Sequence, residues 1–599
     1  MKRLLLLTWL TLTFCIISAQ SSWVRINQLG YLPKSVKVAV FISQNETTNL
    51  AYEVKEVKTN ASVYKGQATK ANAERWGMKA ALRLPFSSVE KDGEYYIECN
   101  GTKSPTFKIN PDAYNGSADF ILKYMRQQRC GFNPYLDTVC HQHDGYIVEH
   151  PTRTGEKIDV RGGWHDASDY LQYLPTSANA TFQMLFAWQQ TPDKTIFKDE
   201  HDALGKKRSN GIPDIIDEIR WGLDWMVRMN PDSAVMFNQI ADDRDHASMR
   251  YPSHDFVDYG WGEGKGRPVY FIEGKSQGLG KHKNRSTGVS SSAAKFASAF
   301  ALGVDVFKDI DPAFAAVLKE KAGPAYSFAA SDLGNFQTAC LKSPYFYEED
   351  NWVDDMELAA AVKYNISRDA SWLQKADYWG VLEEVTPWME LGRARHYQYY
   401  PFVNLGHFYL AQANDKAVGD KYKSFMKKGL DCLLKRAKEY DDPFLNGVPF
   451  IWCSNNLVTA AITHAQLYYQ ASGDESYLEM EAALRDWLFG CNPWGTSMIC
   501  GFPENGDSPT KPHSFVSELM NDIPYGGLVD GPIYKSIYES LLGIHLRYED
   551  AYAPFQFGAA VYHDDPGDYS SNEPTMDGTA SLSFYLSTME KTGKTQKKK

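Results

Sequence analysis

The repeat period of the apolar residues changes once along this chain, and that change constrains the fold more than any other feature. Before Pro111 apolar residues alternate with polar ones as in strands, whereas after Pro111 they recur with the 3.6-residue period of amphipathic helices. The segments with the helical pattern are Ala118 to Gln128, Ala178 to Gln190, Ile212 to Met229, Ser291 to Phe307, Phe314 to Ala330, Asp355 to Tyr364, Ser371 to Trp379, Tyr400 to Gln412, Lys421 to Lys438, Asn456 to Ala471, Glu475 to Phe489 and Thr579 to Met589.

So many similar helices with no strands between them predict a mainly α fold, in which paired helices close into a ring over residues 111–590. Hydrophobic residues make up 43% of the chain and charged residues 23%, which is the composition of a folded protein. In such a ring, long loops at one end are expected to form the functional cleft.

The segment ahead of the helices has short alternating runs at 37–42, 51–57 and 94–99, separated by Pro, Asn, Asp and Gly. These runs predict a small β-sandwich over residues 20–110. A group of residues near its start forms either a binding edge or, as we favour, a contact with the next domain. These residues are Arg25, Asn27, Gln28 and Gly30.

The two ends of the chain differ in composition from the rest. Residues 1–19 have a basic start, an apolar run and small residues at the end, which predicts a secretory signal peptide. The run is too short for a membrane span, so we expect a secreted or periplasmic protein.

Residues 591–599 are nearly all Lys, Thr, Gly and Gln and are expected to form a disordered tail, with a basic contact patch as the alternative.

Charge and composition exclude some partners. The formal net charge of -11 argues against nucleic acid, because a polyanion would be repelled. Aromatic residues make up 14% of the chain, which suits stacking on sugar rings, although a large core also uses aromatics. We expect a monomer without an organic cofactor.

The stretch DVRGGWHDASDY at 159–170 is the strongest candidate for chemistry. Asp166 and Asp169 are three residues apart, so one helical turn would place both carboxylates on one face, where they can hold a water. A glycine pair precedes them, and Trp164 offers a flat apolar face to a ligand. Short DxxD strings are also common in Asx turns and helix caps, which is the alternative.

A set of possible metal ligands lies beside this stretch. Cys130, Cys140, His141 and His165 form a tetrahedral zinc set, and four protein ligands would make the ion structural. From the spacing alone, a Cys130–Cys140 disulfide is an equal alternative. A zinc ion would fix His165 and, with it, the neighbouring Asp166.

A glutamate near the other end completes the candidate site. Glu573 precedes a helix predicted to start near Gly578, where an acid is ordinarily a capping residue. Among Asp568, Tyr569 and apolar neighbours it can instead keep a raised pKa and donate a proton. One acid and a distant carboxylate pair are the groups that glycoside hydrolysis requires.

Several motifs occur in the order seen in glycoside hydrolase family 9, and the sequence resembles members with an N-terminal immunoglobulin-like domain. The motifs are WVRINQLGYLP at 23–33, DVRGGWHDASDY at 159–170, WCSNN at 452–456, GCNPWGTSMICGF at 490–502, GGLVDGP at 526–532 and DYSSNEPTMDGTASL at 568–582. The resemblance covers nearly the whole mature chain. It implies an (α/α)6 barrel and inverting cleavage of β-1,4-glucans.

The resemblance also implies roles for single residues. Asp169 would be the general base, Asp166 would help to hold the attacking water, and Glu573 would be the general acid. Tyr569 stands where the family has a tyrosine near the reacting sugar. The resemblance favours structural zinc over the disulfide at Cys130, Cys140, His141 and His165.

Calcium is also implied, because the family often binds it through an acidic helix start. Asp354 and Asp355 in the segment 351–361 lie at about the right place. A normally acidic first helical turn is the alternative.

The sequence departs from the family pattern at one motif that is expected to bind the sugar. Family cellulases commonly have a PHHR-type motif, whereas this chain has KPHSF, so the substrate-binding His513 is kept and the arginine is missing. The missing arginine therefore favours a mixed-linkage β-glucan or xyloglucan over plain cellulose as the substrate. The alternatives are an exo-acting β-glucosidase or glucosaminidase on oligosaccharides, and a carbohydrate-binding protein without catalysis.

Overall fold

The structure is a computed structural model that describes residues 20–598, and the predicted signal peptide over residues 1–19 lies outside them. The chain begins with two packed antiparallel sheets, with strand orders β1-β2-β6-β5 and β4-β3-β7-β8, and β9 also pairs with β7. The strands are β1 (Ser22–Arg25), β2 (Val38–Ser43), β3 (Ala51–Glu56), β4 (Ser62–Gln67), β5 (Thr69–Ala71), β6 (Ala80–Pro85), β7 (Gly93–Cys99), β8 (Thr102–Lys103) and β9 (Phe107–Ile109).

Strand β2 joins this sandwich to the helical part. Ala39 and Phe41 belong to the sandwich core, whereas Val40 and Ile42 belong to the same apolar cluster as the helices. Successive residues of a strand face opposite sides of the sheet, so this sheet is buried on both faces. The sandwich therefore packs firmly against the helical domain.

Polar contacts reinforce this junction. The Asn27 amide donates to Asp486 at 2.7 Å and to the hydroxyl of Tyr114 at 3.1 Å. The Arg25 guanidinium donates to the carbonyl of Pro493 at 2.6 Å. The prediction that these residues form a domain contact rather than a binding edge is confirmed.

The remaining chain is mainly helical. Its helices are α1 (Ser117–Phe120), α2 (Leu122–Gln127), α3 (Leu174–Gln190), α4 (Asp214–Met229), α5 (Ser290–Phe307), α6 (Pro312–Ala329), α7 (Val353–Ser367), α8 (Ala370–Gly380), α9 (Pro387–Leu391), α10 (Leu405–Ala411), α11 (Lys416–Glu439), α12 (Ser454–Ser472), α13 (Leu478–Leu488), α14 (Phe515–Met520), α15 (Lys535–Tyr538), α16 (Met576–Ser581) and α17 (Ser583–Lys597).

The helices form two concentric rings. Helices α3, α5, α7, α10, α12 and α16 each contact the next, and α16 returns to α3, which closes the inner ring. Helices α3, α5 and α12 are buried nearly throughout, as expected for an inner ring. The outer helix α11 instead buries Met426, Leu430 and Leu433 at spacings of four and three. The predicted (α/α)6 barrel is confirmed.

The helical domain also contains strands, which the sequence did not predict. They are β10 (Phe132–Asn133), β11 (Thr138–Val139), β12 (Tyr146–Val148), β13 (Gln172–Tyr173), β14 (Phe237–Ile240), β15 (Pro268–Phe271), β16 (Leu528–Val529) and β17 (Pro574–Thr575). The sheet β12-β15-β14-β13 joins the loop after α2 to the insert after α4. Such short strands carry too few alternating residues to be recognised in sequence.

The predicted disordered tail is wrong over most of its length. Helix α17 continues to Lys597, because Lys and Gln are good helix formers and basic residues favour a helix C-terminus. Lys597 also pairs with Asp112 at 2.5 Å. Among the described residues, we find no helix with the length and apolar character needed to cross a bilayer.

Candidate active site

The carboxylates of the candidate site lie shortly before the inner helices α3 and α16. The first segment leads from Gly162 to α3. Gly162 and Gly163 have φ of +105° and +70°, and a Cβ added to Gly163 would lie 2.7 Å from Trp225. This turn needs glycine, since left-handed backbone close to a neighbour excludes other residues.

The same turn directs Trp164 into the core, so the prediction that Trp164 binds substrate is wrong. Its side chain is fully buried, and its indole N–H donates to Glu218 at 3.3 Å. An added Cβ on Gly222 would lie 2.4 Å from the indole, which shows how tightly the ring is packed. Trp164 supports the carboxylate segment from beneath and has no face open to a ligand.

Asp166 is buried behind the cleft surface. Thr176 donates to its Oδ1 at 2.6 Å, and the hydroxyl of Tyr347 donates to its Oδ2. Burial raises the pKa of Asp166 well above its ordinary value, and the charges of Asp169 and Asp577 raise it further. Asp166 is thus held in one orientation by two hydroxyl groups.

Asp169 lies closer to solvent and has a different partner. Its Oδ1 accepts the backbone N–H of Leu171 at 3.1 Å, and its Oδ2 lies 3.3 Å from Nε2 of His246. Burial lowers the pKa of His246, but the hydrogen bond and charge of Asp169 outweigh it and raise the pKa to about 9. Asp169 therefore faces a cationic imidazole at neutral pH.

Glu573 reaches the same place from the far end of the chain. Its Oε1 accepts the backbone N–H of Ser168 at 3.0 Å and also the Ser168 hydroxyl. Burial raises the pKa of Glu573, and the charge of Asp169 adds to this, while His513 and Ser168 oppose it. The structure brings together an acid with a raised pKa and a carboxylate paired with a histidine.

Exposed or partly exposed rings surround these carboxylates in an arc, which we call the ring arc. In order, the rings belong to His246, Tyr345, His396, Trp452, Tyr569 and His513. Neighbouring centroids are 5.3, 5.8, 5.5, 5.9 and 6.1 Å apart. The ring arc begins at the partner of Asp169 and ends beside Glu573. Flat apolar faces of this kind bind sugar rings.

Two predicted substrate-binding residues lie in the ring arc and are anchored there. The Nδ1 of His513 donates to the carbonyl of Pro566 at 2.5 Å, since a carbonyl can only accept. The hydroxyl of Tyr569 donates to the carbonyl of Leu542 at 2.7 Å. Both rings are therefore fixed at the edge of the cleft.

The predicted metal ligands also come together. A hairpin of β10 and β11 places Cys130 and Cys140 at its open end, and His141 follows directly. The donor atoms of Cys130, Cys140, His141 and His165 all lie within 4.8 Å of one another, and both thiols are free. This is a possible metal site.

Distances at this site suit a tetrahedral ion. Ordinary Zn–S and Zn–N bond lengths require donor atoms about 3.3–3.8 Å apart. Three of the six separations are 3.6 Å for Cys130 and His141, 3.8 Å for Cys140 and His165, and 3.3 Å for the two histidines, and all six are within 4.8 Å. Nε2 of His141 lies 3.1 Å from Asp255, the kind of outer partner that orients a ligating imidazole.

Comparison with known proteins gives the family. The sequence profile of glycosyl hydrolase family 9 matches residues 114–586, and that of the cellulase N-terminal Ig-like domain matches residues 19–104. The chain is a member of glycosyl hydrolase family 9. This family 9 protein is a glycoside hydrolase with an N-terminal immunoglobulin-like domain, as the resemblance predicted.

Relatives of this family 9 enzyme share low sequence identity with it but match it over most of its length. Endoglucanase D of Acetivibrio thermocellus is 24% identical over 509 residues, which cover 82% of this chain and 74% of that protein. The xyloglucan-specific endo-β-1,4-glucanase BoGH9A of Bacteroides ovatus is 23% identical over 618 residues, covering 95% and 93%. A metagenome-derived family 9 endoglucanase has a structure with TM-score 0.74 and 24% identity, covering 95% of this chain and 99% of that chain. This likeness shows the shared fold.

The two predicted calcium ligands of the family 9 enzyme have different surroundings. The ammonium of Lys295 lies 2.6 Å from Oδ2 of Asp355 and also contacts Glu349. Both oxygens of Asp354 are buried without a hydrogen-bond partner in the part of the chain that the structure describes, and burial raises its pKa well above its ordinary value. A buried lysine thus supplies a positive charge to Asp355, whereas Asp354 has no such partner, and calcium binding stays a prediction.

Sequence reasoning about this family 9 enzyme missed His246 and Tyr347. His246 belongs to the long insert 238–285 between α4 and α5, which contains none of the motifs named above. The insert reaches the cleft through His246, so it contributes to the wall. Tyr347 belongs to no motif that we recognised. Its position shortly before the inner helix α7 is the one feature that could have placed it near the site.

Proposed function

We propose that this family 9 enzyme is an inverting endo-β-1,4-glucanase that acts on a neutral β-glucan. The observation that carries this proposal is the contrast between Glu573, whose pKa is raised, and Asp169, which pairs with His246. Two carboxyl groups in unlike environments can serve as acid and base at the same pH.

In the proposed mechanism Glu573 protonates the glycosidic oxygen as the bond to the anomeric carbon breaks. Asp169 removes a proton from a water that attacks the opposite face of the sugar, and Asp166 helps to hold that water. Inversion needs room for the water, so we expect the carboxyl groups of Asp169 and Glu573 to be about 6.5–9.5 Å apart. After product release the proton returns from Asp169 to Glu573 through solvent.

Substrate binding is assigned to the ring arc. Trp452 and Tyr569 offer apolar faces to sugar rings, while polar atoms of the arc meet hydroxyl groups. The relatives named endoglucanase and xyloglucan-specific endo-β-1,4-glucanase support a β-1,4-glucan as the polymer. The absence of an arginine after His513 favours xyloglucan or mixed-linkage β-glucan over plain cellulose.

We infer that the metal site holds structural zinc. Cys130, Cys140, His141 and His165 would fill all four positions, so the ion would cross-link the hairpin to the segment that carries Asp166. The backbone N–H of His165 bonds to Gln128 at 2.8 Å, which ties this segment to the same hairpin base. Export to the periplasm or cell exterior remains our prediction from residues 1–19.

The test is proton NMR of fresh products from xyloglucan, mixed-linkage β-glucan, soluble cellulose and cello-oligosaccharides. We expect mixed oligosaccharides that appear first as the α-anomer. Monosaccharide alone would point to an exo-acting glycosidase. Binding without any product would point to a carbohydrate-binding protein, and β-anomer appearing first would exclude inversion.

A further inference from the structure

His396 lies at the middle of the ring arc, next to the residues that hold the catalytic carboxyl groups. Its ring centroid is 4.8 Å from that of Tyr347, whose hydroxyl donates to Asp166, and 5.5 Å from that of Trp452. It is also 5.8 Å from Tyr345, which contacts His246. His396 is therefore part of the surface that a bound sugar would meet.

The ring of His396 differs from the other histidines of the arc, because its nitrogens make no hydrogen bond to any residue between 20 and 598. His246 bonds to Asp169 and His513 bonds to Pro566. Both ring nitrogens of His396 can reach solvent, because neither is a fully buried atom without a partner. Burial of the ring lowers the pKa of His396 to about 3, so the imidazole is neutral.

A neutral imidazole has one donor and one acceptor, which is also what a sugar hydroxyl offers. Leaving such a group unpaired when a ligand excludes water would weaken binding, because a desolvated polar group would then lack a hydrogen-bond partner. A phenylalanine would fill the same aromatic surroundings without that cost. The chemistry at this position thus favours a ligand that pairs with the ring nitrogens.

We propose that His396 is a substrate-binding residue that hydrogen-bonds a hydroxyl group of a neutral sugar beside the bond that is cleaved. This inference rests on the proposed β-glucan hydrolysis and deepens it. The imidazole carries no charge, so its donor and acceptor suit a neutral hydroxyl group.

The experiment measures cellohexaose binding by calorimetry in a Glu573→Gln background, where turnover is blocked. We expect His396→Phe to weaken binding about tenfold, the effect of one hydrogen bond, while His396→Gln stays within about threefold of the parent. In the active enzyme His396→Phe should raise KM about tenfold with kcat within about threefold. His150→Phe, at a ring that packs on Phe271 outside the ring arc, is the control and should leave binding unchanged.

Several results would overturn the assignment. Equal affinity of His396→Phe and the parent would show that His396 makes no hydrogen bond to the sugar. An equal loss of affinity in His396→Gln and His396→Phe would show that His396 acts only through packing. If His396→Phe does not fold, His396→Ala replaces it with the same expected weakening. Absence of binding by the parent to cellohexaose and also to oligosaccharides of xyloglucan and mixed-linkage β-glucan would instead reject the proposed β-1,4-glucan function and, with it, this role.

Discussion

The backbone N–H of Ser168 donates to Oε1 of Glu573 over 3.0 Å, although 405 residues separate them along the chain. The next residue after Ser168 is Asp169, so this bond fixes the proposed acid beside the segment that carries the proposed base. The Ser168 hydroxyl contacts the same oxygen. The relative position of the two carboxyl groups is thereby set by one short segment rather than by flexible loops.

Replacement of Glu573 by Gln removes the proton donor but keeps the shape of the side chain. We expect the rate on polysaccharide to fall about 10²–10⁴-fold, the usual contribution of a general acid. Initial rates of reducing-sugar release measure this effect, and unchanged thermal unfolding shows that the fold is intact. A variant within tenfold of the parent would count against the assignment.

Replacement of Ser168 by Ala removes one hydrogen bond to ionised Glu573 and keeps the backbone bond. Hydrogen bonds to a carboxylate favour its charged form, so the pKa of Glu573 should rise in this variant. The alkaline limb of the kcat/KM profile should therefore move to higher pH. A limb at its original pH would mean that another group controls it.

Replacement of His246 by Gln removes the cationic partner of Asp169. Because the pKa of His246 is raised in the folded protein to about 9, its contribution to stability is complete below about pH 6.5 and is lost as pH rises through about 9. The difference in melting temperature between parent and variant should thus be largest near pH 6 and shrink above pH 9. A difference independent of pH would indicate lost packing alone.

Zinc removal tests the metal site. We expect about one zinc per chain by metal analysis, and a lower melting temperature after chelation or in Cys130→Ser, because four ligands cross-link two segments. Cys432→Ser is the matched control, since this partly exposed thiol lies outside the cluster. Protein without zinc and with an intact Cys130–Cys140 bridge would reject the proposal.

Calcium should have no effect on the stability of the wild-type protein, because Lys295 already neutralises Asp355 and Glu349. Replacement of Lys295 by Met leaves these carboxyl groups without a cation, so we expect a marked loss of stability. Thermal unfolding with added calcium or EGTA measures both effects. Stabilisation of the wild-type protein by calcium would show that an ion binds beside the lysine.

The sequence by itself determined the architecture and the proposed catalytic carboxyl groups. Helical periodicity is a local property, so the barrel was predictable, although residues 591–597 and the short strands were assigned wrongly. Asp166, Asp169 and Glu573 could be proposed from the sequence because each belongs to a short motif. The metal cluster was found for the same reason, since its ligands lie within 36 residues of one another.

Tertiary structure alone decided what these residues contact. Trp164 is adjacent to the site in sequence, yet the turn at Gly163 sends its ring into the core. His246 bonds to Asp169 across 77 residues, and Lys295 pairs with Asp355, which the sequence analysis proposed as a calcium ligand. Such contacts depend on long-range packing of rings of helices, and local sequence patterns carry no information about which side chains then meet.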